Sequence, residues 1–436
     1  MNRPDQILPG TGRGTAARSD VVEWAHVSAA STVGPLHHAP HGPPPRSGEE
    51  LNVRDQFPAI AGWHYLDSAA TAQKPQAVID AITQAYAGDY ATVHRGVYER
   101  SATMTDAYER SRAGASKLIG GQPNELIFTR GATEAINLVA RTLPKNGRNR
   151  VLLSQLEHHS NIVPWQLAGF EIDAVPLTSD GQIDLDAAEQ MLTEEHRVVA
   201  FAHVSNVLGS ILGATRAAEI AHTKGALLLL DGCQAVPRLP VDVAAIGADF
   251  YAFSAHKLYG PTGIGCLWGR AELLEQLPPW QGGGAMIDSV TFEESTYLDP
   301  PARFEAGTPH IVGAVGLNAA VNWVEQLSLD AIHAHECALV AETRDALHSI
   351  AGVTLYGPED SAGIVSFNVD GVHAHDTATI LDDAGVAVRA GHHCAQPLMR
   401  WLGVEATARA SFAAHSDSSD IEALARGIDQ VKRVFA

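Results

Sequence analysis

The chain has 436 residues and a formal net charge of −20, with 50 acidic against 30 lysine and arginine side chains. That length exceeds what one hydrophobic core normally serves, so two packed units are expected. The acidic balance argues against nucleic acid or an anionic membrane surface as the main partner, and any phosphate bound here must be held by local geometry. Cys233, Cys266, Cys337 and Cys394 stand far apart without CxxC spacing. No apolar run approaches the roughly 20 residues that span a bilayer. Together these features read as a soluble, cytoplasmic protein with reduced thiols, any one of them free to act as a nucleophile.

Residues 1–50 differ from the rest. "LPGTGRGTAARSD" and "GPLHHAPHGPPPRSGEE" are rich in Gly, Pro, Ser, Thr and His, a composition that buries too little apolar surface to offset the entropy of ordering. We read a disordered tail, with "VVEWAHVSAA" (21–30) as its only apolar anchor and a candidate docking peptide. It lacks the basic start and apolar core of a signal peptide.

From residue 51 onward, short apolar runs alternate with helical stretches, which predicts an α/β fold with a mainly parallel sheet covered by helices. "NELIFTR" (124–130), "RVLLSQ" (150–155), "RVVAFAHVSN" (197–206), "ALLLLDGCQ" (226–234) and "DFYAFSAHK" (249–257) read as buried strands running into loops. The polar residues of interest fall at the ends of these strands, where open parallel sheets bind ligands. Beyond about residue 330, long helical stretches and the strands "GIVSFNVDG" and "GVAVRAG" predict a smaller α+β domain. The expected organisation is a tail over 1–50, a large domain over 51–330 whose first segment completes the small domain, and a small domain over 331–436.

Four stretches carry candidate chemistry. In "IFTRGATEAINLVA" (127–140), Gly131, Ala132 and Thr133 open a helix whose free N–H groups can meet an anion; the bland reading is an ordinary helix start. "LLLLDGCQA" ends its strand in Asp231, a partner for a pyridine nitrogen or simply a turn residue. "FSAHKLYGPTG" (253–263) puts Lys257 at a buried strand end, where an ammonium ion is expensive to hold but a Schiff base with an aldehyde is not; alone it also reads as a solvated loop lysine. In "RAGHHCAQP" (389–397), Cys394 follows two histidines with Arg389 near, a setting that favours thiolate. A metal site there is disfavoured because adjacent residues rarely converge on one ion. The order of phosphate cradle, aspartate and Ser-Ala-His-Lys is that of fold-type I pyridoxal-phosphate enzymes.

The chain closely resembles the group II cysteine desulfurases of the class V aminotransferase family. The resemblance runs from about Leu51 to the C-terminus through "YLDSAATAQKP", "VHRGVY", "TRGATEAINLVA", "LEHHSNIVPWQ", "HVSNVLG", "DGCQA", "FSAHKLYGPTGIG", "RFEAGTP", "RAGHHCAQP" and "ARASF". It implies a fold-type I architecture, with a seven-stranded sheet in the large domain and pyridoxal 5'-phosphate as cofactor. It further implies that Lys257 holds the cofactor and moves the substrate's Cα proton. Asp231 would pair with the ring nitrogen, His158 stack on the ring and Gln234 approach its hydroxyl. Ala132, Thr133, Ser254 and His256 would hold the phosphate, completed by Thr308 of a second subunit of a homodimer. Arg409, with Asn206 and Arg389, would clamp the substrate carboxylate, and His94 and Arg95 would act across the interface. L-cysteine would become alanine, with its sulfur left as a persulfide on Cys394 for an acceptor protein.

Departures from the family pattern are Ala132, where a second threonine is common, Cys233, read as buried packing, and the tail. Long N-terminal extensions occur in similar desulfurases that are cargo of family 2 encapsulin shells, so the resemblance implies a shell-docking role for the tail and a place inside a nanocompartment. Two other functions remain open on the residues: a selenocysteine lyase that does not need Cys394, and a shell-docked sulfur-storage protein with little turnover.

Overall fold

In the computed structural model, which describes residues 51–435, the apolar runs form strands buried on both faces. The tail and its candidate docking segment lie outside the described residues. After a two-residue strand, β1 (His64–Tyr65), the chain builds a seven-stranded sheet. Its members are β2 (Leu126–Thr129), β3 (Arg150–Ser154), β4 (Glu171–Val175), β5 (His196–Ala202), β6 (Leu227–Asp231), β7 (Phe250–Ser254) and β8 (Gly265–Gly269). They lie in the order β2-β8-β7-β6-β5-β3-β4, and β8 runs against both neighbours while the other pairings are parallel.

Side chains along a strand point alternately to opposite faces, and the core divides accordingly. Leu152, Val199, Phe201, Leu228, Leu230, Tyr251 and Phe253 join one apolar cluster, whereas Val151, Leu153, Val198, Ala200, Leu229, Phe250 and Ala252 join another on the far side. The helix Ala132–Thr142 covers the second face through Ala135, Ile136, Leu138 and Val139. One glycine is required by close approach: a Cβ on Gly265 would lie 2.6 Å from both Gly131 Cα and the Phe253 carbonyl. Only a bare strand lets β8 pass beneath the turn at Gly131.

A hairpin of β9 (Ile287–Val290) and β10 (Ser295–Tyr297) is exposed at the surface. The later part of the chain forms a four-stranded antiparallel sheet from β11 (Val353–Tyr356), β12 (Ile364–Val369), β14 (Arg389–Gly391) and β15 (Thr407–Ser411), in the order β11-β12-β15-β14. The short β13 (Val386–Ala387) pairs instead with β1, and Asp67 bridges to Ser411, so the entering segment 64–67 packs against this later part. Its core is a third cluster, including Leu66, Phe367, Phe412 and Leu424. The helices Ile311–Leu327 and Leu329–His348 are joined through Ser328, at φ 72°. We propose that the division between large and small domains falls there, near residue 330. Among the described residues no helix is long and apolar enough to cross a membrane.

Candidate active site

The carboxyl ends of β2, β3, β5, β6 and β7 open into a cavity of about 230 Å³, closed from the other side by the loop after β14 and by β15. Ala132, Thr133, His158, Asn206, Asp231, Gln234, Ser254, His256, Lys257, Arg389, Cys394 and Arg409 all line it. The structure thus brings together twelve of the fifteen residues singled out in the sequence.

At one end lies an anion cradle. The helix Ala132–Thr142 begins at the cavity with its first N–H groups free of intrahelical partners. The Ala132 N–H donates to Ser254 Oγ at 2.9 Å, and the Thr133 hydroxyl pairs with Ser160 Oγ at 2.7 Å. Ser160 is therefore a further polar group that the sequence reading missed. The nearby His256 imidazole is pushed down to about 4 by burial, then by Lys257 and Lys74, and is neutral at physiological pH.

In the middle, Lys257 follows β7 and Asp231 ends the neighbouring β6. Asp231 accepts from the Cys233 N–H at 3.0 Å, and Cys233 itself is buried beside Ser254, its thiol pushed up to about 12 by burial and then by Asp231. Gln234 donates to the Ala69 carbonyl at 2.7 Å and accepts from Arg238 at 2.8 Å, which fixes which end of its amide is which. Arg238 in turn forms a buried ion pair with Glu336 at 3.0 Å.

His158 Nδ1 accepts from the Ser160 N–H at 3.1 Å, which puts the proton of the neutral ring on Nε2. Burial, followed by Lys257, lowers its pKa to about 4. Beneath it is Glu157, a fully buried acid that accepts from the Ser154 hydroxyl, from Asn161 Nδ2 at 2.8 Å and from the Ala202 N–H at 3.1 Å. Burial raises the Glu157 carboxyl to about 7 against those hydrogen bonds. This acid ties the ends of β3 and β5 together and so holds the loop that presents His158. Sequence reasoning passed over it because it stands in "LEHHS" as one more polar residue.

At the other end, Arg409 on β15 is buried. It donates to Asp67 at 3.0 Å and to the Asn206 carbonyl at 2.6 Å, while its Nε has no partner. Burial lowers its pKa to about 10, with Asp67 opposing, and burial likewise raises the Asp67 carboxyl with Arg409 opposing. Asp67 was also missed; its signal was an acid between a short apolar strand and the small residues of "SAAT". Arg389 lies directly across the ladder from Arg409. Two like charges in register repel unless an anion lies between them, so this end is built to receive one.

Cys394 belongs to the four-residue connection 392–395 between β14 and the helix Gln396–Leu402. His393 and Cys394 have φ of 50° and 56° in succession, left-handed conformations that cost on the order of 1–2 kcal/mol each for residues with a side chain. The loop is held from outside: Asn206 Nδ2 donates to the His393 carbonyl at 2.8 Å and the His159 N–H to the Cys394 carbonyl at 2.7 Å. His393 Nε2 meets the Thr407 carbonyl and hydroxyl at 3.0 Å; its buried Nδ1 has no partner, and burial followed by Arg409 lowers its pKa to about 3. Among the described residues no group of three or more His, Cys, Asp or Glu side chains is placed to hold a metal ion.

Three residues are not brought to this cavity. Thr308 is exposed and lines a separate hollow of about 370 Å³ with Arg130, Glu134, Glu305 and His310. His94 and Arg95 are exposed, and the His94 ring packs edge-on against Tyr108, 5.5 Å between centroids. All three are expected to act across an interface between subunits, and on the single chain they stand at the surface, away from this cavity.

The Aminotransferase class-V family matches residues 64–424, and the chain belongs to this family. A probable cysteine desulfurase of Halalkalibacterium halodurans is 47% identical over 379 residues, 85% of this chain and 93% of that one. The cysteine desulfurase of Dickeya dadantii is 47% identical over 381 residues, 85% of this chain and 92% of its own length. Among solved structures, the cysteine desulfurase CsdA of Escherichia coli superposes with a TM-score of 0.83 at 38% identity, covering 87% of this chain and 98% of that one. The apo cysteine desulfurase of Thermococcus onnurineus gives 0.85 at 37%, covering 88% and 99%. Pyridoxal phosphate, the cofactor of this family, suits the residues present. A helix N-terminus with hydroxyls would meet its phosphate, Asp231 its ring nitrogen and Lys257 its aldehyde, while the unpartnered Arg409 Nε would remain for an acid.

The His158 environment makes a testable statement about the cofactor-free protein. With its pKa at about 4 in the folded chain and an ordinary value of 6.5, the folded state binds fewer protons than the unfolded state between those limits, so stability falls as pH drops through that window. His158→Gln retains an acceptor for Ser160 and removes the titration. Relative to this variant the parent should lose on the order of 3 kcal/mol between pH 6.5 and 4. Urea midpoints across pH check this, and parallel curves for the two proteins would contradict it.

Proposed function

We propose that the chain is a pyridoxal-phosphate-dependent cysteine desulfurase that converts L-cysteine to L-alanine and leaves the sulfur as a persulfide on Cys394 for transfer to an acceptor protein. The observation that carries this reading is the sharing of one cavity by Cys394, Lys257 and the opposed guanidiniums Arg389 and Arg409. The curated relatives named as desulfurases support it.

The cofactor, when bound, supplies an electron sink that weakens the Cα–H and Cβ–S bonds of an amino acid. Arg409 and Arg389 hold the substrate carboxylate, and Asp67 with the Asn206 carbonyl keeps the Arg409 fork from turning away. Held there, the substrate presents its Cα to Lys257, whose amine takes and returns a proton. The His158 Nε2–H offers a donor in the same cavity. Cys394 acts as a thiolate on the substrate sulfur: an S–S bond forms as the Cβ–S bond breaks, the electron pair stays on the carbon side, and protonation there completes alanine.

The holoprotein given L-cysteine and a reductant should form alanine and sulfide in equal amounts. Cys394→Ser, nearly isosteric, should retain bound cofactor and its visible absorption yet lose both products by about 100-fold or more. A variant that turns over like the parent would show that the sulfur never passes through Cys394.

We further propose a homodimer that docks to an encapsulin-type shell through the tail. Exposed Tyr86, Tyr90, Val97, Tyr98, Val290 and Phe292 support the first part, and the composition of residues 1–50 supports the second. Removing residues 1–50 should leave the sedimenting mass dimeric and alanine formation unchanged while abolishing co-assembly with shell protein. Loss of the dimer, or unchanged shell loading, would overturn the corresponding part.

A further inference from the structure

The loop that carries Cys394 holds two successive left-handed residues, and within its own short connection only the His392 ring nitrogen, accepting from the Cys394 N–H at 3.2 Å, and the His392 carbonyl, accepting from the Ala395 N–H at 2.8 Å, brace them. The neighbouring loop after β3 reaches it through His159. The His159 N–H donates to the Cys394 carbonyl at 2.7 Å, and two residues further on the Gln396 N–H donates to His159 Nε2 at 3.2 Å. The His159 ring also lies against that of His392, 5.6 Å between centroids and 35° between planes. One residue thus grips the nucleophile loop on both sides of the cysteine. It does so without lining the cavity, where its neighbour His158 does.

His159 is itself braced. The buried Glu157, two residues earlier, fastens this loop to β5 through Ala202 and to Asn161, and Asn161 Nδ2 also donates to the Ala200 carbonyl at 3.1 Å. The grip therefore transmits the position of the large sheet to the cysteine. Burial, followed by His392, lowers the His159 pKa, which keeps Nε2 an acceptor at neutral pH.

We propose that His159 is a positioning residue for sulfur transfer: its ring latches the 392–395 loop and holds Cys394 facing the cavity. The proposal rests on the desulfurase reading for its catalytic consequence, but the latch itself is a statement about the loop. Removing the ring frees the loop to leave its left-handed conformation, so the thiol spends more time turned to solvent. Substrate binding, which depends on Arg389 and Arg409, is not touched.

The test is the alkylation rate of Cys394 by iodoacetamide in the holoprotein, read peptide by peptide so that the other three cysteines serve as internal references. His159→Ala should alkylate at Cys394 about tenfold faster than the parent, with unchanged rates at Cys233 and Cys266. Its kcat for alanine should fall about tenfold at nearly constant KM. His159→Gln, which restores an acceptor oxygen, should recover most of both effects. Should His159→Ala fail to fold, Gln396→Pro deletes the same bond from the donor side at a first helical position that tolerates proline. An alkylation rate within twofold of the parent in the folded variant would overturn the latch, whatever happens to turnover. Absence of alanine formation by the parent would overturn the desulfurase reading instead, and the alkylation comparison would still decide the latch.

Discussion

A guanidinium taken out of water must find its counter-charges and acceptors inside the protein, and Arg409 is where three separate parts of the chain meet that demand. Asp67 comes from the entering segment, the Asn206 carbonyl from the turn after β5, and Arg409 itself from the small sheet. Breaking a buried pair by removing one partner typically destabilises by about 3–5 kcal/mol, so these contacts fix the two sheets against each other as well as the site between them. The Arg389 side chain opposite, and the unpartnered Nε, leave the arrangement short of negative charge until an anion arrives. On the proposed function, a substrate carboxylate completes it.

Much of the architecture follows from local pattern. Continuous apolar runs such as "ALLLL" must be buried on both faces of a sheet, and Leu228, Leu229 and Leu230 do alternate between two core clusters. Thr133, Asp231, Lys257 and Cys394 were legible because each stands where a strand or loop motif ends, and the ends of parallel strands converge. Asp67 was not, since its meaning depends on Arg409, 342 residues away. The same holds for Glu157, whose bond from the Ala202 N–H exists only once β3 and β5 pair, and for His159, whose partners are Cys394 and Gln396. Thr308, His94 and Arg95, which the resemblance assigns to a site shared between subunits, lie on the surface of the single chain.

The site joins two kinds of order. On the large sheet, buried histidines with lowered pKa values and a fixed Gln234 amide present a set of donors and acceptors that does not change near neutral pH. On the small sheet, a strained four-residue connection holds a thiol against that set through backbone hydrogen bonds. A short, latched loop suits a cysteine that must reach a sulfur atom in one place. On the proposed function, delivery to an acceptor would require the acceptor to approach the cavity, because the loop has little length with which to carry a persulfide outward.

The most direct test of this account is the mass of each cysteine-containing peptide after the holoprotein has been given L-cysteine without reductant. The account predicts the gain of one sulfur atom on the peptide carrying Cys394, and none on those carrying Cys233, Cys266 or Cys337. Alanine release with no sulfur added to Cys394, or with the sulfur on another cysteine, would contradict it.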